Sequence, residues 1–434
     1  MESSQFNVLV PYEDKILLYN TLSRSLLTLD QPDEQKQVVS ALEYPYGNPE
    51  NRYINILTEN GFIVASKAEE LEHLALMNRL SRFQTATLNL QVTMTLNCNL
   101  RCPYCFEEQR NERLTQDARN KILKFLSRKI PNLEYLTIEW FGGEPLLAIN
   151  DIVALNLKIK DLCTKHRCEY VPSITTNGVL LNQKRVAQLV EGGINVAQIT
   201  LDGPAKAHDN RRVGINKSPT FERIVENIDI ALQNGMTITV RINVDKDNVG
   251  SMEELLHNLK DRGLHREISY YFKRVFPPGT SRVYDDLPLS VDEYAEAVLN
   301  LRRTARKMGF SKVSMISYDH SQTCVAESIN QYQVSPTGEL YKCAEVFKPF
   351  ERVGMIDEYG GEMLEERYFQ WMSKDVFSDS ECSRCKVLPL CWGGCQAAKF
   401  KYGQKECSEI RYTLRDFIIE EYESSNLNED GESK

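Results

Sequence analysis

The chain has 434 residues, 42% hydrophobic, 26% charged and 9% aromatic, the profile of a folded globular protein rather than a fibre or a disordered chain. Lysine and arginine total 52 against 61 aspartate and glutamate, a net −9 with no basic stripe able to neutralise a phosphate backbone, so nucleic acid is not an expected partner. The start, MESSQFNVLVPYEDKILLYN, lacks a basic segment followed by a long apolar run, which predicts a cytoplasmic chain without signal peptide or membrane anchor; there, twelve cysteines point to metal or cluster ligation rather than disulfides.

In chain order, FNVLV, KILLYN and SLLTL read as strands, residues 34–42 as a helix, and ILTENGFIV as helix, glycine stop and strand. Residues 1–86 therefore form a small α+β module, closed by a charged amphipathic helix over 67–83. From residue 87 the pattern changes to six apolar strands (LNLQVTMTL, TIEWF, VPSITT, VAQITL, ITVRINV and EISYYF) separated by amphipathic helices. In one of these, Phe221, Ile224, Val225, Ile228 and Leu232 recur at the spacing of a single buried face. Strands alternating with helices predict a parallel sheet with right-handed crossovers, here a partial (β/α)6 TIM-like barrel over 87–315 with functional residues at the carboxyl ends of its strands. After Pro277 and Pro278 a long helix is expected at 291–308. A cysteine-rich domain follows over 316–423, and SSNLNEDGESK, residues 424–434, reads as a disordered tail.

Directly after the first barrel strand stands Cys98-Asn-Leu-Arg-Cys102-Pro-Tyr-Cys105. Three thiolates on one loop bind three irons of a [4Fe-4S] cluster and leave the fourth iron open to a small chelating substrate. Zinc, which takes four tetrahedral ligands, is the competing occupant. In spacing, in Tyr104 before the last cysteine and in the partial barrel, residues 88–276 resemble the radical SAM superfamily. The resemblance implies that S-adenosyl-L-methionine chelates the open iron and is split reductively to a 5′-deoxyadenosyl radical that takes hydrogen from a substrate. It also implies cofactor contacts from the GGEP motif Gly142, Gly143, Glu144 and Pro145, from Thr176 and Asn177, from Asp202, and from Arg212, whose guanidinium forks onto a carboxylate. Cys163 and Cys168, on a barrel helix away from the mouth, read as inert thiols.

Seven further cysteines run Cys324, Cys343, Cys382, Cys385, Cys391, Cys395 and Cys407. Zinc sites suit such thiolate pairs as well. The arrangement resembles the SPASM extension of radical SAM enzymes, which implies two auxiliary clusters and three [4Fe-4S] clusters in all. Carried over residue by residue, Cys324, Cys343 and Cys395 hold one and Cys382, Cys385, Cys391 and Cys407 the other. Anaerobic sulfatase-maturing enzymes, also similar, carry a further cysteine shortly before the position of Cys324 and an aspartate where Ala344 stands. Those departures turn the expectation towards peptide maturases that form cysteine thioether crosslinks, the first auxiliary cluster binding a substrate thiolate and taking the electron of the substrate radical. Sulfatase maturation, carbon-carbon crosslinking and epimerisation remain the alternatives.

Glu345 is the candidate catalytic base, with a solvated surface carboxylate as the plain alternative. The expected partners are a precursor peptide, whose leader the 1–86 module holds by strand addition or which that module ignores as a structural cap, and a reductant such as flavodoxin or ferredoxin. An electron relay and a zinc scaffold are the non-enzymatic readings. A relay favours four cysteines at every cluster, which the triad lacks.

Overall fold

The computed structural model describes residues 1–46, 51–276, 288–310, 324–403 and 405–429. Pro277, Pro278, the 315/316 boundary and residues 430–434 of the tail lie outside them. The chain divides into two compact units: Met1–Arg82 with Tyr318–Cys324 and Lys374–Lys434, and Phe83–Ser317 with Val325–Ser373.

In the first unit β1 (Glu2–Ser3), β2 (Asn7–Tyr12), β3 (Lys15–Asn20) and β4 (Leu26–Leu29) precede α1 (Pro32–Glu43), α2 (Tyr53–Glu59), β5 (Ile63–Val64) and α3 (Lys67–Phe83). Strands β2, β3 and β4 form an antiparallel sheet, and β5 returns to pair with β1. Gly61, at φ +78, makes the turn between α2 and β5 that ENGF requires. Leu18, Leu29, Val38, Leu57 and Phe62 close this small core.

The second unit begins with β6 (Thr87–Thr93), followed by α4 (Gln116–Lys129), β7 (Tyr135–Phe141), α5 (Ile149–His166), β8 (Glu169–Thr176), α6 (Gln183–Glu191), β9 (Val196–Leu201), α7 (Ala205–Arg211), α8 (Phe221–Gln233), β10 (Thr237–Val244), α9 (Met252–Asp261) and β11 (Ser269–Arg274). The six strands stand in sequence order, each parallel to the next, so the expected α/β partial barrel is present. Alternate residues face helices or lumen as the period of two demands. Leu88, Leu90, Val92, Leu136, Ile138, Trp140, Ile238, Val240 and Ile242 are buried. The other face is polar and linked across strands: Gln91 donates to Glu139 (2.9 Å), Thr175 donates to the same carboxylate, Gln198 donates to Thr175 (3.4 Å), and the Tyr271 hydroxyl donates to Gln198 (2.7 Å). A closed eight-stranded barrel fills this space with branched apolar side chains; here the lumen is lined with hydrogen-bonding groups.

Helix α10 (Val291–Lys307) starts in a capping box formed by Ser290 and Glu293. Then β12 (Gln331–Val334) joins the sheet beside β6 as a seventh parallel strand, and β13 (Glu339–Tyr341), β14 (Gly354–Ile356) and β15 (Glu362–Leu364) extend it antiparallel before α11 (Glu366–Met372). Residues 325–373 thus continue the barrel sheet, whereas 374–434 pack with the amino-terminal module. That packing joins Phe6 and Leu74 to Val376, Cys382 and Leu388. The last elements are α12 (Leu388–Cys391), α13 (Gln396–Tyr402) and α14 (Ile410–Glu429). Helix α14 runs through the first six residues of the stretch expected to be a disordered tail.

Among the described residues, no helix is long and apolar enough to cross a membrane.

Candidate active site

The loop after β6 is held in place by the turn after β7. The N–H of Gly143 donates to the Thr95 carbonyl and that of Glu144 to the Asn97 carbonyl, both at 2.9 Å. A Cβ on Gly142, whose φ is +136, would stand 2.3 Å from the Thr95 oxygen, and one on Gly143 would stand 2.6 Å from the Asn97 oxygen. Close approach to a ligand is the sequence expectation for these glycines; the approach present in the structure is to the cysteine loop itself.

Glu144, fully buried, is already engaged. It accepts from the N–H of Leu146 (3.0 Å), the hydroxyl of Thr176 (2.7 Å) and the N–H of Asn177 (2.8 Å). Burial raises its pKa, and those donors work against the rise. Pro145 opens the short buried turn that follows. The Asn177 amide donates to Asn99 at 2.8 Å and lies 3.8 Å from the Cys98 sulfur.

A second group gathers around Tyr104. Its hydroxyl bonds to the Asp202 carboxylate and accepts from Arg212 at 2.9 Å, and Arg211 lies over its ring at 4.9 Å from the centroid. Arg211 forks onto Asp245 at 3.0 and 2.7 Å. Asp202, wholly buried, also accepts from Asn243 at 3.2 Å. Arg212 therefore spends one nitrogen on Tyr104, while its buried Nε has no partner.

Cys98 is buried, which pushes its thiol up to about 12; burial raises Cys102 and Cys105 as well, and Arg212 opposes the rise at Cys102. As bare thiols these groups hold their protons, and a bound metal removes them. The donor set of three thiols beside the unpartnered Arg212 nitrogen fits an iron-sulfur cluster with an anionic ligand on its open iron.

Glu107, only 8% exposed, is a residue that motif reading missed. Its Oε1 has no hydrogen-bond partner, and burial, then the charge of Glu345, pushes its pKa up to about 8. Glu345 is half-buried and acts electrostatically on both Glu107 and Arg241. The lone carboxylate of the sequence thus has a carboxylate and a guanidinium for neighbours. The only available signal was an acid directly following Cys105-Phe106.

Of the distal cysteines, Cys343 lies in the barrel unit, bridged to Val346, while Cys324 and Cys395 belong to the other unit. Cys382, Cys385, Cys391 and Cys407 line one cavity together with Glu381, Lys405 and Arg411. Gly393 lines it as well, and at the next residue, Gly394, a Cβ would fall 1.9 Å from the Glu406 carbonyl oxygen. Among the described residues no three Cys, His, Asp or Glu side chains converge as ligands of a single ion. The four sulfurs stand around a space, which fits a cluster. Cys163 and Cys168 are buried.

Residues 92–259, which hold most of the parallel partial barrel and the three thiols on the loop after its first strand, match the Radical SAM superfamily. The chain is 23% identical over 413 residues to the radical SAM cyclopropyl synthase TigE of Paramaledivibacter caminithermalis, covering 88% of this chain and 83% of that one. It is 24% identical over 314 residues to a GTP 3',8-cyclase of Clostridium perfringens (67% and 93%). With the cysteine-type anaerobic sulfatase-maturating enzyme of the same species it shares 22% over 338 residues (72% and 89%). Among solved structures, anSMEcpe with bound AdoMet and Cp18Cys peptide aligns with a TM-score of 0.62 at 18% identity, over 79% of this chain and 98% of that one. Streptococcus suis SuiB bound to precursor peptide SuiA aligns at 0.52 and 14%, over 94% and 98%. Both share the fold.

Proposed function

We propose that this chain is a radical SAM peptide maturase of SPASM type that forms a cysteine thioether crosslink in a ribosomally made precursor peptide. The observation that carries the reading is the gathering of Cys98, Cys102 and Cys105 with the Tyr104, Asp202 and Arg212 set on the loops after parallel strands, above a polar lumen. When bound and reduced, a [4Fe-4S] cluster on the triad supplies the electron that splits S-adenosyl-L-methionine into methionine and a 5′-deoxyadenosyl radical.

The protein's own part is to bind, orient and shield. In this reading the backbone at Gly142 and Gly143, with Thr176, Asn177, Asp202 and Arg212, orients the nucleoside, and Glu144 and Pro145 hold that frame. The lumen side chains, Glu139, Gln198, Arg241 and Tyr271 among them, receive the peptide segment. Glu345 accepts the proton of the substrate thiol, assisted by Glu107. The amino-terminal module binds the leader, and flavodoxin or ferredoxin is the reductant. The four-cysteine cavity, and Cys324, Cys343 and Cys395, hold the two auxiliary clusters. Support comes from the relatives: SuiB and anSMEcpe are solved with peptides bound.

The test is incubation of the anaerobically reconstituted protein with reductant, S-adenosyl-L-methionine and a cysteine-containing precursor peptide from the neighbouring genes. Release of 5′-deoxyadenosine with loss of two hydrogens per link is expected. The E345Q variant should retain nucleoside cleavage and lose the link. Conversion of a sulfatase cysteine would establish instead the second reading, which the similarity to the sulfatase-maturating enzyme favours. Cleavage stimulated only by a nucleotide would refute any peptide substrate.

A further inference from the structure

We infer that Lys405 and Arg411 set the reduction potential of the cluster held by Cys382, Cys385, Cys391 and Cys407, raising it by hydrogen bonds to two of the four sulfurs. The inference rests on the reading of that cavity as a cluster site. Lys405 Nζ stands 3.3 Å from the Cys382 sulfur, and Arg411 Nη1 stands 3.1 Å from that of Cys407. Among the described residues, these two are the cations lining the cavity.

Neither cation reaches its sulfur by chance of a loose surface chain. Glu381 accepts from both, at 3.0 Å from Lys405 and 2.7 Å from Arg411, and so ties them into one unit. Asp379 accepts from Lys405 at 3.2 Å, and its other bonds fix the loop, since it also accepts from the N–H groups of Glu381 and Cys382 at 3.0 Å. The backbone bonds to Cys382, then Lys405, hold the Asp379 carboxyl down at about 2. Asp379 and Glu381 are thus positioning residues.

Simple surface ion pairs contribute little to the stability of a fold. The sulfur contacts give these pairs a second consequence. Two cations and two carboxylates cancel at long range, but the donors are the groups in contact with sulfur. Adding one electron places more negative charge on the iron and its thiolates, and hydrogen-bond donors and positive charge at the sulfurs favour that reduced state. With the pair present the cluster is the better electron acceptor. Sequence reading marks Cys407 but gives no hint of this, because Lys405 and Arg411 on either side of it look like solvated charges.

The test is an EPR-monitored redox titration of the fully reconstituted holoprotein, with dithionite as the electron source, for wild type, K405M, R411M and the double variant. Each single change should move the midpoint of one auxiliary signal to lower potential, the double change further, with the signal of the Cys98, Cys102 and Cys105 cluster unmoved. Unchanged midpoints at full iron and sulfide content would overturn the inference. Should a variant lose its cluster, wild-type protein labelled with 15N-lysine and 15N-arginine decides by ENDOR: nitrogen coupling to the reduced auxiliary cluster supports the assignment, and its absence defeats it. Failure of the underlying cluster reading is separately visible, because C382A with C385A would then leave iron content and spectrum as in wild type.

Discussion

The carboxylate of Glu144, at the end of β7, accepts the backbone N–H of Asn177 at 2.8 Å, at the end of β8. Through that bond, and those from Thr176 and Leu146, one buried acid ties together two of the loops that frame the mouth. Replacing it with alanine strands three buried donors. At about 1–3 kcal/mol for each group left unsatisfied, E144A should cost roughly 3 kcal/mol or more. T176V, which leaves the acid two donors but also strands the Gly178 N–H that the Thr176 hydroxyl accepts at 3.2 Å, should cost about 2 kcal/mol. Thermal unfolding measures both, and nucleoside binding should fail in E144A before the fold does.

The Gly142 position gives a sharper prediction. A Cβ there meets the Thr95 oxygen at 2.3 Å, and backbone against backbone has no flexible end to yield. G142A should therefore displace the cysteine loop and lower the iron retained by Cys98, Cys102 and Cys105. Gly235 also has positive φ, +79, but a Cβ there meets nothing within 4 Å. G235A should show only the strain of the left-handed backbone, about 1 kcal/mol, with iron content unchanged. Equal iron loss in the two variants would mean that strain, not the Thr95 contact, is responsible.

The barrel was legible because six strands and their intervening helices carry strong, opposite periodicities, and because the triad sits where a parallel sheet puts functional loops. The helix of residues 67–83 was legible for the same reason, and α3 has those limits. Strand β12 was not, since QYQV is four residues long and mostly polar, and only its pairing with β6 makes it a strand. For the same cause residues 325–373 looked separate from the barrel: sheet extension is a non-local fact. Nor could sequence show that Phe6 and Leu74 pack on Cys382, which gives the amino-terminal module work in supporting the four-cysteine loop. Glu107 escaped because an acid on a loop usually faces water, and only burial marks this one out.

Tyr104 supplies the next test. Its hydroxyl mediates between buried Asp202 and Arg212, so Y104F removes a bond from each while keeping the ring beneath Arg211. Arg212, whose Nε is already unpartnered, would lose the bond to Tyr104 as well. Two lost bonds to charged groups amount to about 3 kcal/mol, with one pK unit of binding for every 1.4 kcal/mol that reaches the ligand. The expected result is nucleoside affinity at least tenfold weaker by calorimetry, with the iron content of the triad intact. Wild-type affinity in Y104F would show that this trio frames the loop and leaves the ligand alone.

His208 makes the acid limb of stability specific. It is wholly buried, its Nδ1 accepts the Asp202 N–H at 3.2 Å, and the Phe221 ring packs edge-on at 5.5 Å. Burial first, then the charge of Arg212, lowers its pKa to about 4, with Arg211 adding and Asp202 and Asp209 opposing. The folded value lies below the ordinary 6.5, so between pH 6.5 and 4 the unfolded chain binds a proton that the folded chain refuses. Stability conferred by this group is therefore complete above about pH 6.5 and declines as the pH falls towards 4, by at most about 3 kcal/mol over the window. H208Q keeps an acceptor for the Asp202 N–H and does not titrate. Its stability between pH 6.5 and 4, measured by urea unfolding, should fall less steeply than that of wild type, and parallel profiles would rule His208 out as the source of the slope.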